Sequence, residues 1–190
     1  MQKFFVLVVL LGLLALPVMA QDNPKFDVFG GYQYMHLSNV GGYSGLNVNL
    51  NGWDAAASAY FTKHIGVTGD FSGNYKSRTY DIDDFSGTVH THVYSYAGGP
   101  VVSLNPGGTL NPFVHALFGG AHASLSACDA EGCESVGSQN GFVMMYGGGA
   151  DVKMSKHMAV RGQLDWVYYR FNGYSNSSNV RVATGVVFHF

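Results

Sequence analysis

The sequence is poor in charge, in cysteine and in long apolar runs. Asp, Glu, Lys and Arg make up only 12% of its 190 residues, against about 25% in soluble globular chains, too few to wet an ordinary exterior. Ten basic and twelve acidic side chains give −2, and loss of Lys3 with a leader would leave nine against twelve, or −3. Nucleic acid is therefore not an expected partner. Beyond residue 20 no stretch reaches the roughly 20 consecutive apolar residues of a membrane helix, and mean hydropathy is only +0.08. A helical membrane protein is excluded. What is plentiful is glycine, at 26 residues about twice ordinary usage, together with 47% apolar residues. That apolar content excludes disorder, and the glycines lack the strict period of collagen.

The first twenty residues read as a cleaved secretory signal: a positive start at Lys3, an apolar run over residues 4–16, then Pro17-Val18-Met19-Ala20. Cleavage is expected after Ala20, leaving residues 21–190 as one domain. Export suits the two cysteines, because disulfides persist outside the cytoplasm.

From residue 26 onward the dominant period is two, which sends alternate side chains to opposite faces of a strand. Over residues 65–76 one face carries Ile65, Val67, Phe71 and Tyr75, and the other Thr68, Asp70, Ser72, Asn74 and Lys76. Over residues 160–169, Val160, Leu164 and Trp166 oppose Arg161, Gln163 and Asp165; near the end, Val180, Val182, Val186, Phe188 and Phe190 oppose Arg181, Ala183 and His189. Residues 53–62 and 142–153 follow suit, with Asp54, Asp151 and Lys153 on polar faces. Residues 26–35 alternate less cleanly, because Phe29 and Met35 share a face with Asp27 and Gln33. Residues 93–103 and 113–125 read as strands of unassigned register, since Ala97-Gly98-Gly99-Pro100 and Gly119-Gly120 mark candidate bulges.

Eight strands result, joined alternately by short links (residues 62–64, 104–111 and 154–157) and longer ones (37–51, 77–91, 126–140 and 172–179). Outer-membrane barrels have short periplasmic turns and long outer loops, so both chain ends are expected on the periplasmic side. An internal echo accompanies the pattern: Thr62-Lys63-His64-Ile65 and Ser155-Lys156-His157-Met158 are related by 155 − 62 = 93 positions. Spanning strands need about 9–11 residues and full backbone pairing, which in lipid requires a closed barrel. The expected fold is therefore all-β, an eight-stranded antiparallel up-and-down transmembrane β-barrel. Trp53, Phe61, Tyr75, Phe142, Trp166, Tyr168 and Phe188 supply its aromatic girdles. A soluble, lipocalin-like carrier is the alternative, with its greasy face turned inward.

The closing stretch, with Val186, Phe188 and Phe190 alternating to a terminal Phe, resembles the assembly signal of outer-membrane barrels. Together with Gly52-Trp53-Asp54, Gly98-Gly99-Pro100, Pro112-Phe113-Val114-His115 and the pair Arg161 and Asp165, it resembles the outer-membrane β-barrel domain family related to the outer-membrane protein A transmembrane barrel. The resemblance spans residues 26–190. It implies residence in the outer membrane of a Gram-negative-type bacterium, insertion by the outer-membrane machinery through the C-terminal strand, and a structural or surface role. No peptidoglycan-binding domain follows Phe190, so cell-wall anchoring is not expected.

An eight-stranded barrel is just wide enough for side chains to fill. Asp54, Asp70, Lys153, Arg161, Asp165 and Arg181 are expected to form an interior ion-pair network, with Arg161 and Asp165 at its centre, because buried charges are paired. Cys128 and Cys133 are expected to staple the third outer loop; two cysteines without further partners fall short of a structural zinc set. His90 and His92 share a strand face, and Ser95, Asp84 and Ser124 are conceivable companions for either of them or for His122, but no motif joins any pair into a catalytic unit. The expectation is a monomer without cofactor, metal or active site, embedded in lipid and facing lipopolysaccharide. Surface adhesion or receptor binding and a small-solute pore are the alternatives, ahead of a lipid-modifying barrel enzyme.

Overall fold

In the computed structural model, the described residues are 26–38, 47–82, 85–128, 132–171 and 174–190, the side chains of 78–87 and 172–178 excepted. The leader and Asp84 lie outside them. Eight strands run β1 (Phe26–Leu37), β2 (Val48–Tyr60), β3 (Ile65–Ile82), β4 (Phe85–Ser103), β5 (Leu110–Cys128), β6 (Cys133–Lys153), β7 (Met158–Phe171) and β8 (Tyr174–His189). Each pairs antiparallel with its chain neighbour, and β8 returns to β1 to close the barrel. At the seam the Phe190 N–H donates to the Phe26 carbonyl at 2.9 Å, so the last residue completes the ladder.

Alternation places the chemistry. Phe71, Tyr96, Val114, Phe118, Leu164, Trp166 and Val182 face outward and are exposed, while Asp54, Asp70, Asp165 and Arg181 are buried inside. This is the inverse of a soluble barrel and meets the demand of lipid, where backbone groups must pair within the chain and apolar side chains face out. β1 looked irregular because Phe29 and Met35 point into the lumen beside Asp27 and Gln33.

The glycine-rich strands β4 and β5 carry no bulge where their glycines stand. Register against β3 is continuous from Ile65↔Val102 to Ile82↔Phe85, which turns Val93, Ser95, Ala97 and Val101 inward. Inward Gly99 and Gly119 instead mark close interstrand approach, since a Cβ on either would collide with the Ala116 or Tyr96 carbonyl. Register shifts fall elsewhere, at Leu125/Ser126 and Val167/Tyr169. Three long connections expected as loops, 77–91, 126–140 and 172–179, also prove to be largely strand among the described residues. β3 to β6 run 18, 19, 19 and 21 residues against 12 and 13 for β1 and β2. About 9–11 residues cross the hydrocarbon, so these hairpins continue as ribbons above it. Their polar, solvated faces lack the apolar alternation by which the membrane strands were read. At the other end the β4–β5 turn reverses through Gly107 at φ 88°, a left-handed conformation that glycine adopts without a Cβ penalty.

Candidate functional site

The lumen is filled in layers. At mid-height lies Arg181 of β8, with no exposed surface. Its guanidinium donates from both NH groups to the two carboxylate oxygens of Asp70 on β3, at 3.0 and 2.9 Å. Its Nε donates to Asp165 Oδ2 of β7 at 2.9 Å, while Asp54 Oδ2 of β2 stands 3.7 Å away. One cation thus meets three carboxylates from three strands. Asp165 is held further by the Gln163 amide at 2.8 Å and by His115 Nε2 at 2.7 Å. The His115 contact crosses a whole strand: His115 faces Gly147 on β6, and Gly147 faces Asp165 on β7. Lacking a side chain, Gly147 lets the imidazole lie across it.

Nearer the periplasmic end, Arg161 makes a bidentate pair with its cross-strand neighbour Asp151, at 2.7 and 2.9 Å. Its guanidinium lies over the Phe113 ring at 4.3 Å and the Phe29 ring at 5.3 Å. Arg161 and Asp165 point the same way but belong to different clusters, and the carboxylates concentrate on Arg181, which corrects the expected centre. Four residues along a strand is about 13 Å, beyond the reach of a hydrogen-bonded pair, whereas Asp151 and Arg181 stand directly across from Arg161 and Asp165. Lys153 does not join either cluster: it is exposed at the barrel end, where its ammonium keeps its hydration.

Buried apolar clusters flank the Arg181 cluster on both sides. Toward the outer end Met35, Leu50, Val93, Leu117, Val143, Met145, Val167 and Tyr169 form one buried cluster. Toward the periplasm, Phe29, Ala159, Ala183 and Val187 form a second, and Tyr60, Val101 and Phe113 a third.

A family model for the outer membrane protein beta-barrel domain matches residues 6–190. The chain belongs to that family. Its place is accordingly the bacterial outer membrane. Among solved structures, Ail of Yersinia pestis in complex with the heparin analogue sucrose octasulfate aligns with TM-score 0.65 at 16% identity, covering 88% of this chain and 99% of that one. Neisserial surface protein A aligns with TM-score 0.55 at 10% identity, covering 88% and 100%. The N-terminal barrel of Pseudomonas aeruginosa OprF gives 0.52 at 14%, covering 90% and 100%. At such identities the likeness is one of fold. No curated protein matches the sequence.

Other features of this outer-membrane barrel lie outside the lumen. Cys128 and Cys133 are joined as a disulfide between register partners at the outer end of the β5–β6 ribbon. His90 and His92 face outward, His90 Nδ1 lying 2.8 Å from Ser77 Oγ and the His92 ring packing against Tyr75 at 5.3 Å. Ser95 is on the opposite face, inside the lumen. Ser124 is the register partner of His92 without a hydrogen bond to it among the described residues. No nucleophile, base and orienting acid come together there, and no set of three His, Cys, Asp or Glu suited to a metal ion occurs among the described residues. Trp53 Nε1 donates to Tyr75 OH at 3.0 Å, and Tyr146 stacks on Trp166, both on the outward surface. Val186 is partly buried on the outward face, and Phe188 and Phe190 are exposed.

Sequence reasoning missed His115 as a member of the lumen cluster. The signal was present in the alternation Phe113, His115, Leu117, but Gly119-Gly120 left that strand without a register.

Proposed function

We propose that this protein is a closed, monomeric barrel that stabilises the outer membrane and displays a polar ribbon surface, rather than a channel. The observation that supports this reading is the presence of buried apolar clusters above and below the Arg181 cluster, an arrangement that disfavours a hydrated path for ions. In this reading the leader is removed after Ala20, and Val186, Phe188 and Phe190 present the C-terminal strand to the insertion machinery. Lipopolysaccharide surrounds the outer girdle. Catalysis is left out of this reading, because the one Ser–His contact noted above, Ser77 with His90, has no acid orienting the imidazole among the described residues. The test is planar-bilayer recording on refolded protein whose folding is verified by heat-dependent gel mobility. The expected result is a mobility shift without steady conductance; stepwise, reproducible conductance refutes the closed lumen.

A second reading, contact with another surface, is favoured by the projecting β3 to β6 ribbons. The sulfated ligand seen on Ail does not carry over to those ribbons. The outer segments hold three basic residues, Lys76, Arg78 and Arg170, against six acidic ones, Asp81, Asp83, Asp84, Asp129, Glu131 and Glu134, and like charge disfavours a polyanion.

A further inference from the structure

We infer that the periplasmic mouth of the barrel is a binding site for a phosphate-bearing anion, with Lys63, Lys153 and Lys156 as its recognition groups. These three lysines line one depression of about 320 Å³, where the links between β2 and β3, β4 and β5, and β6 and β7 converge on the base of β1 and β8. The two aspartates in its wall are already engaged, Asp151 by Arg161 and Asp27 by His189 Nδ1 at 2.7 Å. None of the three ammonium groups is ion-paired among the described residues. The mouth therefore concentrates positive charge in a concave, solvent-facing space, the arrangement that raises the local concentration of an anion. Lysine is a point charge with three donors, suited to a phosphate approached from several sides.

The repeated Lys-His turn explains how the charges are aimed. In the first copy, the amides of Phe61 and Thr62 donate to the Ile65 carbonyl, and Thr62 Oγ1 accepts from the His64 amide at 3.2 Å. In the second copy, Met154 and Ser155 donate to the Met158 carbonyl, and Ser155 Oγ accepts from the His157 amide at 3.4 Å. Each turn is then tied to a neighbouring strand end through its histidine carbonyl, His64 receiving Ser103 N at 2.7 Å and His157 receiving His189 N at 3.0 Å. The two copies thus build the same turn twice and project Lys63 and Lys156 into the same depression. Lys153 is fixed between them by its own amide, which donates to the Thr109 carbonyl at 2.8 Å.

The experiment is calorimetric titration of inorganic pyrophosphate into the folded barrel in an uncharged maltoside detergent at low ionic strength. Saturable binding is expected, weakened roughly tenfold or more in Lys63→Gln/Lys156→Gln and unchanged in Lys76→Gln, whose charge lies toward the other end. Heat-dependent mobility confirms that each variant is folded, and Lys153→Gln provides an independent single change. A short-chain phosphatidylglycerol that displaces pyrophosphate identifies a lipid headgroup as the phosphate source; failure to displace it identifies a soluble phosphate. No saturable binding by the wild-type barrel, or equal weakening in Lys76→Gln, overturns the site.

Discussion

His115 and Asp165 touch at 2.7 Å although a complete strand runs between them. The contact exists because the intervening residue is Gly147, above which a Cβ would meet the Asp165 carboxylate and the Leu164 carbonyl. Gly147→Ala is therefore expected to expel His115, displace Asp165 from Arg181 and cost about 1–3 kcal/mol by overpacking. Gly162→Ala, where nothing lies within 4 Å of an added Cβ, is the matched control and should leave stability unchanged. Urea unfolding in detergent, followed by gel mobility, measures both.

The two buried arginines are expected to differ. Arg181→Ala strands Asp54, Asp70 and Asp165 in a buried layer, and breaking such a buried cluster costs about 3–5 kcal/mol. Arg161→Ala should cost less, about 1–3 kcal/mol, because Asp151 also lines the periplasmic depression and can be hydrated from there. If Arg181→Ala does not fold, the combination Arg181→Met, Asp54→Asn, Asp70→Asn and Asp165→Asn should restore folding, since it removes the cation and its three carboxylates together. Equal losses for the two single variants would refute the assignment of Arg181 as the centre.

Much of this was legible from residue order. The inward positions of Asp54, Asp70, Asp165 and Arg181 follow from period two alone, because one face of each strand is greasy and lipid demands that face. Partnership was not legible, because it depends on which strands lie opposite across the lumen and at what height. Arg161 and Asp165 share a face in sequence yet meet different partners, Asp151 from β6 and Arg181 from β8. His115 was hidden for a related reason: Gly119 and Gly120 dilute the alternation that would have turned it inward. The outer ribbons resemble loops in sequence because their polar residues have no buried face to impose a pattern, while backbone pairing extends the hairpins regardless.

The Cys128 to Cys133 disulfide closes six residues at the ribbon tip, a constraint of about 2 kcal/mol on the chain-entropy model. Its effect should be local. Cys128→Ser/Cys133→Ser is expected to leave the heat-dependent mobility transition of the barrel in place while speeding proteolytic nicking near residues 128–133. Peptide mapping after limited digestion distinguishes this from global destabilisation, which would shift the mobility transition as well.

Phe190 joins β8 to β1 by its backbone and packs its ring 6.4 Å from that of Phe26. The side chain is otherwise exposed, so Phe190→Ala should refold in detergent with little loss of stability. In cells it is expected to lower the yield of inserted barrel if, as proposed above, the C-terminal strand is read by the insertion machinery through Phe190. Quantification of heat-modifiable protein in outer-membrane fractions, alongside refolding of the purified chain, separates the two effects.

The unequal strand lengths alter what the outside world meets. β2 reaches β3 only as far as Asn51↔Tyr75, and β7 reaches β6 only as far as Gly141↔Phe171. Above those pairs, residues 76–82 and 133–140 have a described strand on one side alone. A cylinder without edges in the hydrocarbon thus opens, on one flank and in water, into a four-stranded sheet with two margins that pair with no described strand. Those margins are rows of backbone donors and acceptors, a template to which another extended chain could add.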